Sequence, residues 1–102
     1  KGIHNSLVKV DDDTYALAYE GSGNDGKIKT FTIPADGSTI TKVATLAHDT
    51  GNGEHNSLVK VDDDTYALAY SGTDDDGFIS TFTIPADGST ITEVATLEHD
   101  TG

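Results

Sequence analysis

An internal repeat constrains this chain more than any other feature of its sequence. Residues 52–102 repeat residues 1–51, and 41 of the 51 aligned positions are identical. Periods of about 20 to 50 residues are typical of solenoids, propellers and arrays, in which each unit leaves an apolar face for its neighbour to cover. The chain therefore divides into two equivalent units, which are too few to close most folds of this kind.

Turn-forming residues divide each unit into four short strands, with no helix expected. In the first unit the predicted strands are residues 6–10, 14–19, 27–33 and 39–46. The segments between them are acidic, glycine-rich or built around Pro-Ala-Asp-Gly, and such residues favour turns. Four strands in about 50 residues is the content of one propeller blade.

The strand pattern indicates sheets with two apolar faces. Residues 15–19 read Tyr-Ala-Leu-Ala-Tyr, which places large side chains on one face and alanines on the other. An antiparallel sheet with one wet face would alternate apolar and polar residues instead, so both faces are expected to be covered, as in blades stacked around an axis. A β-sandwich built from the eight strands is the alternative.

The second unit also resembles a known kind of blade. Residues 55–72, His-Asn-Ser-Leu-Val-Lys-Val-Asp-Asp-Asp-Thr-Tyr-Ala-Leu-Ala-Tyr-Ser-Gly, resemble the inner hairpin of sialidase-type and related bacterial propellers, and residues 76–84 resemble their third strand. The Asp-box of that family, Ser-x-Asp-x-Gly-x-Thr-Trp, is absent. The resemblance implies a blade and no particular chemistry.

These observations predict an all-β fold, a β-propeller in which each chain supplies two four-stranded antiparallel blades, residues 1–51 and 52–102. Propellers have about 4 to 8 blades, so the ring would be completed by homo-oligomerisation. The length of the repeat is close to that of kelch blades, which favours a trimer with six blades, or a tetramer with eight.

Net charge and cysteine content exclude several classes of binding partner and site. The formal charge is −12 at pH 7, which repels phosphate backbones and anionic lipids, so we expect neither nucleic acid nor membrane as a partner. There is no cysteine, and hence neither a disulfide nor a thiolate metal site. Because the chain starts at Lys1 without methionine, we expect a piece of a longer bacterial protein, with a secreted or cell-surface location favoured.

Charge differs sharply between the two units. The first has five lysines and seven acidic residues, a charge of −2, whereas the second has one lysine and eleven acidic residues, a charge of −10. One hypothesis is that Lys27, Lys29 or Lys42 faces acids of a neighbouring blade and so favours alternating blade order. The alternative is that all three are solvated, where ion pairs contribute about 0 to 1 kcal/mol.

Two groups of residues are candidates for metal binding. Asp74 and Asp76, in Thr-Asp-Asp-Asp-Gly at 73–77, are candidate calcium ligands, although the distal glutamate of a calcium loop is missing and a solvated acidic turn is the alternative. The repeated histidines could form circles that bind a transition metal, or they could fix the blade junction by hydrogen bonds to loop carbonyls, Asp49 or Asp100. These histidines are His4, His48, His55 and His99.

A nucleophilic serine is not expected. Ser6 and Ser57 lie close to histidines in sequence, but a triad needs serine, base and orienting group within hydrogen-bond reach, which this spacing does not predict. Sialidase-type catalysis is excluded because the chain has no arginine to bind a substrate carboxylate. No cofactor is expected unless the acidic loop binds calcium.

The sequence therefore predicts a non-catalytic module that acts as a structural or binding scaffold, within a larger surface or secreted protein. A lectin-like, glycan-binding propeller is the alternative. It has less support because the chain lacks tryptophan, and its four tyrosines lie in strands where packing engages them. A recently amplified blade with no evolved site is a third reading.

Overall fold

The computed structural model describes residues 1–101, which form eight strands in two antiparallel sheets. Sheet 1 contains β1 (Ile3–Asp11), β2 (Thr14–Glu20), β3 (Gly26–Thr32) and β4 (Thr41–Asp49). Sheet 2 contains β5 (Glu54–Asp62), β6 (Thr65–Ser71), β7 (Gly77–Thr83) and β8 (Thr92–Asp100). Strand order in each sheet follows chain order, so each unit of the repeat is one meander. The predicted all-β class and the four strands per unit are confirmed.

Most strand ends differ from the prediction by one to three residues, and the largest differences are at the start of β1 and the end of β4. β1 begins at Ile3 because the strand continues through a bulge to pair Ile3 with Glu20, and β4 runs on to Asp49 because Asp49 pairs with Gly26. The prediction of no helix was also incomplete. A single 3₁₀ turn lies in each loop that joins the second and third strands, at Ser22–Asn24 and Thr73–Asp75.

Each sheet has two chemically different faces. The face that we call the alanine face carries small and β-branched side chains, and the opposite one, the aromatic face, carries tyrosine, leucine and phenylalanine. The alanine face comprises Thr14, Ala16, Ala18, Ile28 and Thr30 in sheet 1, and Thr65, Ala67, Ala69, Ile79 and Thr81 in sheet 2. The aromatic face comprises Tyr15, Leu17, Tyr19 and Phe31 in sheet 1, and Tyr66, Leu68, Tyr70 and Phe82 in sheet 2.

The core lies between the alanine face of sheet 1 and the aromatic face of sheet 2. The side chains that sheet 1 contributes include Ala16, Ala18 and Ile28, which are fully buried. Sheet 2 contributes Tyr66 and Phe82, which are also fully buried, because the small alanine side chains of sheet 1 leave room for their rings. The two units thus pack through opposite faces although their sequences are nearly the same.

The two sheets approach each other most closely at their first strands. β5 lies against β1 and β2, whereas β8, the last strand of sheet 2, is exposed along its whole length. The closest approach of the sheets is therefore at the strands that start each unit. β8 lies away from the contact, whereas β4 reaches it through His48.

The turn after β7 adds a second point of contact between the sheets. Gly88 has a positive φ of 70°, and its carbonyl oxygen accepts a hydrogen bond of 2.7 Å from Thr30 Oγ1 in sheet 1. A Cβ atom on Gly88 would lie 2.9 Å from Thr14 Cγ2, so glycine is required both for the backbone angle and for the close approach. Its counterpart Gly37 has the same φ within a degree, but nothing lies within 4 Å of its Cβ position.

Candidate functional site

The junction between the sheets is held by polar groups as well as by the apolar core. Most of these hydrogen bonds run from donors in sheet 2 to acceptors in sheet 1, and several of the acceptors are backbone carbonyls in β1. The donor and acceptor pairs are Leu58 N to Ser6 Oγ (3.0 Å), Asn56 Nδ2 to His4 O (3.1 Å), Lys60 Nζ to Val10 O (3.2 Å), Tyr66 Oη to Val10 O (3.4 Å) and Tyr70 Oη to Asp49 Oδ2 (3.1 Å). Such directional bonds fix the register of one sheet on the other.

His48 fixes the junction by packing, and the predicted hydrogen bond to a carbonyl or to Asp49 was wrong. Its ring lies edge-on to Tyr70 at 4.8 Å and to Phe82 at 5.7 Å, and neither of its nitrogen atoms has a hydrogen-bond partner. The Asp49 carboxylate instead accepts hydrogen bonds from Tyr70 and from the backbone N–H of Gly51. Burial lowers the pKa of His48, and the charges of Asp49 and Glu93 only partly offset this effect.

Tyr70 stays protonated across the physiological range. Burial is the main reason that its pKa is raised to about 12, and the nearby Asp49 carboxylate acts in the same direction. The phenol therefore remains a hydrogen-bond donor to Asp49 wherever the carboxylate is charged, and the bond across the junction persists at neutral pH.

The aromatic face of sheet 1 is uncovered and basic. Tyr15, Leu17 and Phe31 on this face are only half-buried. The register also places Lys27, Lys29 and Lys42 on this face, opposite Tyr19, Leu17 and Phe31 respectively. Lys29 Nζ lies 5.4 Å from the centre of the Tyr19 ring. The three lysines therefore share one surface, as the hypothesis of an interface requires.

The alanine face of sheet 2 is uncovered and apolar. Ile79 is 39% exposed and Val61 is 60% exposed, whereas their counterparts in sheet 1, Ile28 and Val10, are 0% and 3% exposed. Ala69 is also exposed. Residues that form the core in one unit are thus left at the surface in the other.

The starts of β1 and β5 bring two of the four histidines together. The ring centroids of His4 and His55 are 4.4 Å apart, and the rings are tilted by 49°. His4 Nδ1 lies 2.9 Å from Glu20 Oε1, while Lys1 Nζ lies 3.2 Å from Glu20 Oε2. Burial alone would raise the pKa of Glu20, but the hydrogen bonds from Lys1 and His4 outweigh it and lower the pKa. His48 lies elsewhere, at the end of β4, so the histidines do not form a single group.

The candidate calcium ligands lie in the 3₁₀ turn that follows β6. Asp74 adopts a positive φ of 63° in this turn, and Asp76 follows in extended backbone. A hydrogen bond with Asp76 is the main cause that raises the pKa of Glu98, and repulsion from the Asp76 charge adds to it. Residues 1–101 contain no cluster of three or more histidine or acidic side chains suited to a metal ion, and the calcium assignment stays a prediction.

Two residues with clear roles escaped the sequence interpretation. Glu20, which is 2% exposed, accepts a hydrogen bond from His4. The only sign of this role in the sequence is that the second unit has Ser71 at the corresponding position. Ser6, considered only as a nucleophile, instead accepts the backbone hydrogen bond of Leu58. Gly102, the last residue of the second predicted unit, lies outside the described residues.

Comparison with known proteins gives no family. No protein-family model, no curated protein and no solved structure matches the chain significantly. None of the helical segments within residues 1–101 has the length and apolar character needed to cross a membrane. No concave pocket opens on the surface that these residues form.

Proposed function

We propose that the chain is a non-catalytic scaffold module that assembles with copies of itself, each chain contributing two blades of a β-propeller. One observation carries this proposal: the junction within the chain joins an alanine face to an aromatic face, and the uncovered faces are another alanine face and another aromatic face. A contact between unlike surfaces repeats from copy to copy, and it gives a ring if the rotation closes and a filament if it does not.

The uncovered surfaces retain the polar groups of the junction. In the alanine face of sheet 2, Ser57 stands where Ser6 accepts a hydrogen bond in sheet 1, and Thr81 stands where Thr30 donates one. On the other surface, Gly37 is the counterpart of Gly88 and has open space around it. If two chains packed with the geometry of the junction, Thr81 of one chain would donate a hydrogen bond to the turn at Gly37 of the other.

Burial of the uncovered side chains supplies the driving force. A fully buried valine, leucine, isoleucine or phenylalanine contributes roughly 1.5 to 3 kcal/mol relative to the exposed side chain. The exposed side chains Val61 and Ile79 on one surface, with Leu7 on the other, would together contribute several kcal/mol toward association. Only 34% of the residues are hydrophobic, so leaving these side chains exposed would waste a large share of the apolar surface.

Charge also favours packing of the second unit of one chain on the first unit of the next chain. Within the chain, the charges of Asp49 and Glu93 both act on His48, where they oppose the lowering of its pKa by burial. The counterpart of Glu93 is Lys42, and the counterpart of Asp49 is Asp100. The contact between chains would therefore place a lysine near an aspartate where the contact within the chain places two acidic residues together.

The arrangement of the sheets supports blades rather than a closed β-sandwich. In a sandwich two inner faces pack across their width and the outer faces stay wet, with polar residues on them. Here the sheets come closest at their first strands, β8 is exposed along its whole length, and both outer faces carry apolar side chains. Three chains would give six blades and four chains would give eight, both within the usual range for propellers.

The mass of the wild-type protein in solution tests this proposal. Light scattering should give about three or four times the chain mass of 10.7 kDa, and the mass should fall on dilution. A well-folded species of one chain mass at micromolar concentration, with cooperative melting that does not depend on dilution, would contradict it.

A further inference from the structure

The histidines at the starts of β1 and β5 are held by strained backbone. His4 has a φ of 55° and His55 a φ of 52°, each within a bulge that shifts the register between Ile3 and Ser6, or between Glu54 and Ser57. Residues other than glycine at such angles cost of order 1 kcal/mol or more, and bulges re-aim side chains. Both units of the repeat carry this cost, and the result is that the two imidazole rings lie 4.4 Å apart.

Glu20 sets the tautomer of His4. A carboxylate only accepts hydrogen bonds, so Nδ1 of His4 carries the proton that it donates to Glu20 Oε1, and the lone pair of Nε2 is available to a ligand. Glu20 is itself held by Lys1, 3.2 Å away. A carboxylate behind a histidine is the arrangement that orients metal-binding imidazoles and raises their basicity.

We infer that His4 and His55 together bind a divalent transition-metal ion such as Zn²⁺. Two imidazoles bound to a tetrahedral ion at metal–nitrogen distances of about 2.0 to 2.1 Å have ring centroids roughly 5.2 Å apart, so the observed pair at 4.4 Å would have to open by roughly 1 Å. Nitrogen ligands select transition metals over Ca²⁺ and Mg²⁺, which prefer oxygen.

The site is completed by a second copy of the chain, and in this respect the inference rests on the proposed assembly. One chain supplies two imidazoles, and within residues 1–101 there is no group of three or more such ligands. If the contact between chains repeats the contact within the chain, His4 of one chain lies beside His55 of the chain before it. Each chain supplies two imidazoles, so an ion bound by two of them gives one ion per chain, whereas an ion bound by three gives at most two ions per three chains.

Titration of the untagged protein with Zn²⁺, in excess Mg²⁺ to occupy carboxylates, tests the inference. The variant is His55→Asn, because asparagine tolerates positive φ. Asp75→Asn is the matched control, since Asp75 is also exposed, has a φ of 62° and is not one of the candidate ligands. Calorimetry should show Zn²⁺ binding of no more than one equivalent per chain in the wild type and in Asp75→Asn, and affinity at least tenfold lower in His55→Asn.

Light scattering on the same samples separates this inference from the proposed assembly. Absence of Zn²⁺ binding by an oligomeric wild type overturns the metal site and leaves the assembly intact, and so does equal binding by His55→Asn. If the wild type is a single chain, the assembly fails. Weak Zn²⁺ binding that disappears in His55→Asn then still supports the two-histidine ligand set, and no binding overturns it.

Discussion

Ala69→Glu separates the contact between chains from the contact within the chain. Ala69 is exposed on the alanine face of sheet 2, while its counterpart Ala18 is fully buried against sheet 2. A glutamate at position 69 is solvated in a single chain, and it should therefore leave the stability of the two-sheet unit within about 0.5 kcal/mol of the wild type. In the assembly the same carboxylate would be buried against an aromatic face.

The magnitude follows from the cost of burying an unpaired charge. The effective penalty is several kcal/mol per ion, and 1.4 kcal/mol corresponds to a tenfold change in an equilibrium constant. A penalty of about 3 kcal/mol at each contact between chains thus weakens that contact by more than about 100-fold. Because every contact in a ring contains position 69, the whole assembly should dissociate.

The assay is light scattering together with thermal melting, and Ala86→Glu is the control. Ala86 is exposed in the turn after β7, so this variant adds the same charge to the same unit away from the uncovered faces. Ala69→Glu should have the mass of one chain and remain folded, while Ala86→Glu should keep the mass of the wild type. An oligomeric Ala69→Glu would refute the reasoning, as would a wild type with the mass of one chain.

Three further predictions concern the junction within the chain. Since burial lowers the pKa of His48, the unfolded chain binds a proton that the folded chain does not, and the melting temperature should fall as the pH drops from 7.5 toward 5.5; His48→Phe should show a smaller fall. Tyr70→Phe leaves Asp49 without its phenol donor and should lower the free energy of unfolding by about 1 kcal/mol in urea titrations, and no change would show that the bond contributes nothing. Gly88→Ala should destabilise the chain by more than Gly37→Ala, because only Gly88 meets neighbouring atoms, whereas Gly37→Ala should mainly reduce the oligomer mass; equal melting temperatures would contradict the contact.

Local pattern was sufficient to predict the strands and the two faces. The alternation of tyrosine and alanine over residues 15–19 and 66–70 has the period of a strand, and turn residues mark the strand ends. The all-β class and the meander of each unit follow from these short-range features.

Sequence could not predict which face each unit buries within the chain. Residues 15–19 and 66–70 are identical, yet Ala18 is fully buried while its counterpart Ala69 is exposed, and Tyr66 is fully buried while its counterpart Tyr15 is only half-buried. The difference arises from position in the chain, because each unit has one neighbour on one side only. An identical pentapeptide cannot carry that information.

The sequence predicted that the histidines were candidate site residues, but it did not predict which of them lie together. The recurrence of histidine marked His4 and His55 as candidates, but the bulge that brings their rings together depends on the pairing of Ile3 with Glu20 across the sheet. His48 was assigned a hydrogen bond, and the structure gives its ring aromatic contacts instead, because the aromatic face of the other sheet packs over it. Such contacts depend on tertiary packing that local sequence does not specify.

Disulfide trapping tests most directly whether the uncovered faces meet in the register of the junction. Leu58 N lies 3.0 Å from Ser6 Oγ, which puts the two Cα atoms within about 7 Å, close to disulfide range, and the corresponding pair between chains is Leu7 and Ser57. The chain has no other cysteine, so Leu7→Cys/Ser57→Cys should oxidise to covalent oligomers, whereas Ser6→Cys/Leu58→Cys should give only crosslinked single chains. Single chains alone from Leu7→Cys/Ser57→Cys would contradict assembly through these faces.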